Sequence, residues 1–317
     1  MRRRLFVCLP VVGLALVVAG AAVASNGGIS PVGPNSPNAG RIKDAYWLIL
    51  ALTGVVFLIV EGTLITFVVR YRRRGRPRTV EGPQVHGATK LELLWTAGPV
   101  VALAAIAGFI FYKLPGIKDA PPASAAASQT VTVEAHQFYW RFEYPDGSES
   151  INVLQVPVGD VVRLNVTSAD VIHSWWVPAL GGKIDAIPGK TNHTWFRAER
   201  TGTYAIRCAE FCGLQHAAMR GFVRVVEGRT QAPKQLGKQA VRGVCATCHG
   251  FRLEGLVGPA IADNPTLNDP KALRTIITQG FQRMPAVGKT WDARLLNSTI
   301  DYLKSRYGTK GGGTGGG

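Results

Sequence analysis

The sequence predicts a multidomain membrane protein: a two-helix transmembrane hairpin, then an all-β domain, then an all-α domain. Three observations carry this prediction. Two long apolar runs flank a dense arginine cluster. Residues 129–228 alternate apolar and polar positions between turn signals. From residue 234 onward the spacing becomes helical, with N-cap and first-turn proline signals.

The bulk values agree. A chain of 317 residues allows about two domains besides membrane segments. Hydrophobic residues make up 46%. A net charge of +16 admits nucleic acid, anionic lipid or acidic protein as partners, so its placement has to decide.

Residues 1–24 read as a signal peptide: Arg2, Arg3 and Arg4, an apolar run from Leu5 to Ala19, then Ala22-Val23-Ala24 as an A-x-A cleavage site. An uncleaved anchor is the alternative. The Gly/Pro/Asn/Ser-rich stretch within 25–44 is expected as an extracytoplasmic loop. Residues 45–69 form the first expected span, about 38 Å as a helix and enough for a ~30 Å hydrocarbon core. Glu61 lies inside it and calls for a neighbouring helix or polar path.

The run from Arg70 to Arg78 holds six arginines. Directly after a membrane span it marks the cytoplasmic side, so the positive-inside rule explains it and nucleic-acid binding is set aside. The cytoplasmic loop is expected over 70–92. A second span follows over 93–113, with Pro99 as a candidate kink. A linker is expected over 114–128. Everything after it lies outside the cytoplasm, as does the N-terminus.

In the β region, Thr130 to Glu134, Val161 to Val166, Tyr204 to Arg207 and Gly221 to Val226 alternate. Pro145-Asp146-Gly147 and Pro157-Val158-Gly159-Asp160 are turns between them. Short strands so spaced predict a sandwich or barrel. The all-α domain is expected over 234–307, with a helix at Lys271 to Gln279 capped by Asp269-Pro270 and another at Asp292 to Arg306. Its Gly/Thr-rich tail, 308–317, is expected to be disordered.

Two clusters carry chemistry. Cys208, Cys212, His216 and Met219 follow the spacing C-x3-C-x3-H-x2-M, and His173 lies upstream on a strand. Soft sulfur with imidazole suits copper. Two thiolates in one loop with two histidines suit a pair of copper ions sharing one electron. A disulfide would leave the His and Met unexplained, and zinc rarely recruits Met. The second cluster, Cys245-Ala246-Thr247-Cys248-His249, is the attachment signature of a c-type haem. Met284, in Met284-Pro285, is the candidate sixth ligand. A redox or zinc C-x-x-C is the alternative.

The stretch Leu164 to Val226 resembles the CuA domain of cytochrome c oxidase subunit II. The resemblance rests on Asp170-Val171-Ile172-His173-Ser174-Trp175, Asp185-Ala186-Ile187-Pro188-Gly189 and the cysteine loop. It implies a cupredoxin barrel, with His173, Cys208, Cys212, His216 and Met219 as copper ligands and Glu210 adding its backbone carbonyl. The Glu210 carboxylate is implied as a magnesium ligand at the interface with subunit I. The aromatic run His136 to Phe142 also matches: Trp140 at a family Trp, and Phe138 where many relatives carry the Trp that accepts electrons from a soluble cytochrome. Phe138 and Trp140 are thus electron-accepting candidates. Lys90 to Thr96 resembles the start of the family's second span, where the acid matching Glu92 sits at the mouth of a proton path.

The segment from Lys234 to Tyr307 resembles a small class I cytochrome c, including Gly258-Pro259. Together the two resemblances imply subunit II of a caa-type oxidase in a bacterial plasma membrane. Electrons would run from a donor (a quinol–cytochrome c reductase or a small cytochrome) to covalent haem c, to the copper pair, then to haem a in subunit I. Oxygen reduction would occur there, coupled to proton translocation, with subunit III as a further partner. None of the six histidines lies in an expected span, so this chain performs no oxygen chemistry alone. The alternatives are the electron-accepting subunit of a haem–copper nitric oxide reductase, or a stand-alone membrane electron carrier.

Overall fold

The computed structural model describes residues 31–72, 84, 86–122, 128–228 and 235–309. The expected signal peptide and glycine-rich tail lie outside them, apart from Gly308 and Thr309. The chain divides into two compact units, one of them Gly40–Lys118 and the other the remainder.

The first unit is a helical hairpin. Helix α1 spans Pro37–Tyr71 and α2 spans Thr89–Lys118. Among the described residues these two are long and apolar enough to cross a membrane, with mean hydropathies of 2.4 and 2.0. Lys113 Nζ pairs with Asp44 Oδ2 at 2.9 Å, and Arg41 Nη1 donates to Gly116 O at 2.5 Å. These pairs join the start of α1 to the end of α2, so the helices run antiparallel.

Both helices outrun the apolar stretches that announced them. The expected loop 25–44 gives its last eight residues to α1. The expected loop 70–92 loses both ends to helix, and 73–83 and 85 lie outside the described residues. The expected linker 114–128 begins five residues late, because α2 continues through Pro115 to Lys118. Hydropathy marks where a helix meets lipid; backbone hydrogen bonding carries it further into polar sequence.

In the second unit, Asn35, Ser36 and Asn38 are buried against the β domain rather than free in a loop. Asn35 N–H donates to Ala179 O at 2.7 Å, Glu199 N–H to Asn35 O at 3.0 Å, and Asn38 Nδ2 to Trp195 O at 2.6 Å. Short polar side chains here satisfy backbone groups that the strands leave open.

The β domain holds ten strands: β1 (Ser128–His136), β2 (Tyr139–Glu143), β3 (Glu149–Ile151), β4 (Val153–Pro157), β5 (Val161–Ser168), β6 (His173–Trp176), β7 (Ile184–Ala186), β8 (Asn192–Arg197), β9 (Gly202–Cys208) and β10 (Arg220–Val226). They form two five-stranded sheets, β3-β2-β1-β5-β8 and β4-β10-β9-β6-β7. β1 pairs parallel with β5, and β4 with β10. Alternation decides which face turns inward. Val131, Val133 and Ala135 of β1 meet Leu164 and Val166 of β5 and Trp175 of the other sheet in one core.

The helical domain contains α3 (Leu236–Ala240), a π turn (Val241–Cys245), α4 (Ala246–His249), α5 (Pro270–Gln279) and α6 (Ala293–Tyr307). Asp269 caps α5 by accepting from Lys271 and Ala272 N–H, and Asp292 caps α6 by accepting from Leu295 N–H. Gly237 lets α3 cross α6 at backbone contact: a Cβ there would stand 1.8 Å from Ser298 O. Leu253, Trp291, Leu295, Ile300 and Leu303 form the core, and Tyr139 and Ile151 of the β domain belong to it. The two domains therefore share apolar packing.

Candidate metal centres

The β6 start, the β9 end and the β9–β10 loop meet at one end of the β domain. His173 Nδ1 lies 3.8 Å from Cys208 Sγ, Cys208 Sγ 3.8 Å from Cys212 Sγ, and Cys212 Sγ 3.5 Å from His216 Nδ1. Met219 Sδ is 3.8 Å from Cys212 Sγ, and Glu210 O is 3.2 Å from Cys208 Sγ. All six residues that the sequence nominated come together.

The sulfurs are free and far beyond the ~2.05 Å of a disulfide. His173, Cys208 and Cys212 make a compact donor set, with His216 outside it on the Cys212 side. An elongated set with one imidazole at each end and two sulfurs between suits two metal ions better than one.

The protein prepares these donors. Asp170 Oδ1 accepts from His173 Nε2 at 2.8 Å, leaving Nδ1 directed at the sulfurs. Burial works to raise the Cys208 thiol, but hydrogen bonding to His173 and the nearby backbone outweighs it and holds the group at about 6. Burial and the neighbouring Cys208 push Cys212 up to about 12. His173, Cys212 and Met219 are almost sealed from solvent. Soft, buried, pre-oriented donors fit copper.

The remaining candidates divide. Trp140 is fully buried, with its ring 6.3 Å from that of His173 and 5.3 Å from that of Trp175. The indole packs between the copper-ligand candidate His173 and the core, away from solvent. Phe138 is half-buried against the cysteine loop beside Gly213. Glu92 sits in the first turn of α2, where its Oε1 accepts from Ala88 N–H at 3.2 Å, as a helix-start carboxylate does. The Glu210 side chain is exposed.

In the helical domain, Cys245 and Cys248 close the π turn and enter α4, which ends at His249. His249 Nδ1 donates to Pro259 O at 2.7 Å, so Nε2 is the nitrogen left for a metal. Both thiols are free, and burial pushes Cys245 up to about 12. Met284 closes a turn with Phe281 through paired backbone hydrogen bonds of 3.1 and 2.8 Å. Phe251, Leu256, Val257 and Phe281 are strongly exposed. They come from the two segments that carry His249 and Met284, so a flat apolar group held there would meet apolar surface. The residues present fit a haem.

Sequence reasoning gave no role to Asp170 or Gln215. A carboxylate three residues before a candidate ligand histidine was a usable signal for Asp170. Gln215 carried none, because its partner, Cys248, lies in the other domain.

Three family models match the chain. Residues 31–112 match the transmembrane domain and 148–226 the periplasmic domain of cytochrome c oxidase subunit II. Residues 232–303 match cytochrome c oxidase, cbb3-type, subunit III. Among curated proteins, a cytochrome c oxidase subunit 2 of Alkalihalophilus pseudofirmus is 33% identical over 281 residues, covering 80% of this chain and 80% of that protein. One of Thermostichus vulcanus is 33% identical over 234 residues, covering 58% and 71%. The crystal structure of the periplasmic domain of cytochrome oxidase subunit II of Bradyrhizobium japonicum is 41% identical over 34% of this chain and 88% of that one, with a TM-score of 0.32.

Proposed function

The chain belongs to the cytochrome c oxidase subunit II family, and from that membership we propose which of its residues carry electrons toward the haem–copper subunit. His173, Cys208, Cys212, His216 and Met219, with the Glu210 carbonyl, hold a binuclear copper centre. Cys245 and Cys248 attach a haem covalently, and His249 and Met284 ligate its iron. When bound, the copper pair and the haem each take up and release one electron. The observation that carries the reading is the unbroken run of contacts His173–Cys208–Cys212–His216 at 3.8, 3.8 and 3.5 Å.

The residues around the sites keep reorganisation small. Asp170 fixes the His173 ring, the surrounding core excludes water, and the β framework holds both cysteine sulfurs in place. A Met/His ligand pair on haem raises its reduction potential, as an electron carrier needs.

As a member of this family the protein is an electron-transfer subunit of a membrane oxidase and works with a subunit I. The β and helical domains lie outside the cytoplasm. We extend this to an extracytoplasmic N-terminus, a subunit III partner, a small cytochrome or a quinol–cytochrome c reductase as donor, a magnesium ion held in part by Glu210, and a proton path opening at Glu92. A reduced-minus-oxidised spectrum and an EPR spectrum of the purified complex test the core of the reading. A c-type band and a mixed-valence copper signal are expected. Loss of the first when Cys245 and Cys248 are both replaced by serine, and of the second in Cys212→Ser, would assign the residues; either signal persisting in its variant overturns that assignment.

A further inference from the structure

The β domain and the cytochrome domain touch where the two candidate centres approach each other. Gln215 stands in the cysteine loop, one residue before His216, and its Nε2–H donates to Cys248 Sγ at 3.0 Å. Its neighbours behave differently: Phe211 and Leu214 of the same loop are exposed. Gln215 is half-buried.

The backbone of Gln215 is immobilised. Its carbonyl accepts from Ala218 N–H at 2.9 Å and Met219 N–H at 3.2 Å, opening the 3-10 turn His216–Ala218. Upstream, Gln137 Nε2 donates to Cys212 O at 2.5 Å. Gly213, at φ +130, lets the loop pass under Gln137 and Phe138; a Cβ there would stand 2.9 Å from Gln137 Nε2. The far side is fixed too. Trp291 Nε1–H donates to Tyr139 Oη at 2.7 Å, Gln239 Oε1 accepts from Ile151 N–H at 2.9 Å, and Asn152 Nδ2 donates to Gly243 O at 3.2 Å. A seam of this kind holds the two domains in one register.

We propose that Gln215 is the positioning residue for electron transfer between the domains, joining the thioether sulfur at Cys248 to the copper ligand His216 through one hydrogen bond and one stretch of backbone. The inference rests on the assignment of Cys248 and His216 made above. One electron crosses, the iron going from ferrous to ferric as the copper pair goes from mixed-valence to cuprous, and no proton moves. The same N–H withdraws density from the sulfur, which favours the reduced haem.

The test uses the intact oxidase complex carrying Gln215→Leu, which keeps the bulk and removes the donor. Haem c is reduced by a flash with a photoreductant, and its band and the copper near-infrared band are followed. The expected result is equilibration slowed about tenfold, the scale on which a lost positioning contact shows, with a lowered haem c potential and unchanged EPR of the copper pair. A rate within about twofold of the parent, with both centres present, overturns the proposal. Should Gln215→Leu fail to assemble, Gln215→Asn keeps the amide but shortens its reach; the same slowing is expected, and an unchanged rate again overturns the proposal. A parent complex lacking the c-type band or the copper signal would instead sink the underlying assignment.

Discussion

Asp170 Oδ1 and His173 Nε2 are 2.8 Å apart, and this one contact decides which nitrogen of the ring faces the two cysteine sulfurs. His173 is fully buried while the Asp170 side chain is 31% exposed, so the carboxylate anchors the ring from the edge of the site. The same device recurs in the other domain, where Pro259 O holds His249 by Nδ1.

Asp170→Asn should therefore weaken copper binding without unfolding the barrel. Removing a hydrogen-bond partner of a ligand histidine costs about 10- to 100-fold in metal affinity. Titration of the metal-free protein with copper, monitored by the copper absorption bands, measures it; an unchanged affinity would show that the core alone orients the ring.

Gly237→Ala should destabilise the cytochrome domain selectively. The added methyl would meet the backbone at Ser298 O, and overpacking of a rigid crossing costs about 1–3 kcal/mol. Chemical denaturation followed by the haem Soret band should shift, while the copper signal persists in conditions where the haem domain has already opened.

Trp291→Phe removes the donor to Tyr139 Oη and leaves that hydroxyl buried between the domains. The cost should be about 1–3 kcal/mol. Limited proteolysis between residues 228 and 235 should accelerate in the variant, since the seam between the domains loses one of its hydrogen bonds.

Glu134 supplies a pH dependence. Hydrogen bonding to His136 comes first among the causes that hold its carboxyl below the ordinary value of 4.5, with Arg141 assisting and burial opposing. A carboxyl whose folded value is depressed stabilises the fold above its unfolded value and loses that contribution as pH falls through the folded one. Glu134→Gln should thus be about 1 kcal/mol less stable than the parent at pH 7. The gap should narrow as the pH falls below the ordinary carboxylate value of 4.5 and through the depressed folded one. Urea midpoints at pH 7 and pH 3.5 check the sign.

Much of this protein was legible in its sequence because the relevant signals are local. Apolar runs, the arginine cluster, strand alternation and the Asp269 and Asp292 caps need no knowledge of distant contacts. The cysteine motifs are equally local, since the chemistry of copper and haem demands soft donors at short spacing. Helix ends were not legible: α1 and α2 continue into polar sequence because a helix ends where its hydrogen bonds do, not where its hydrophobicity does. The burial of Trp140 was hidden as well, because an aromatic side chain on a strand reads alike on either face until the opposing sheet is known.

The sequence by itself determined the classes of the three parts and the family, and it nominated the donor sets. Only the tertiary structure decided that Asp170 orients His173, that Tyr139 and Ile151 of the β domain complete the cytochrome core, and that Gln215 reaches Cys248. These are pairings between residues 3, 152 and 33 positions apart in the cases of His173, Tyr139 with Trp291, and Gln215. The shortest had a sequence signal that went unused. The other two had none, because a hydrogen bond between domains is set by the packing of whole surfaces, and no local pattern encodes where two surfaces will meet.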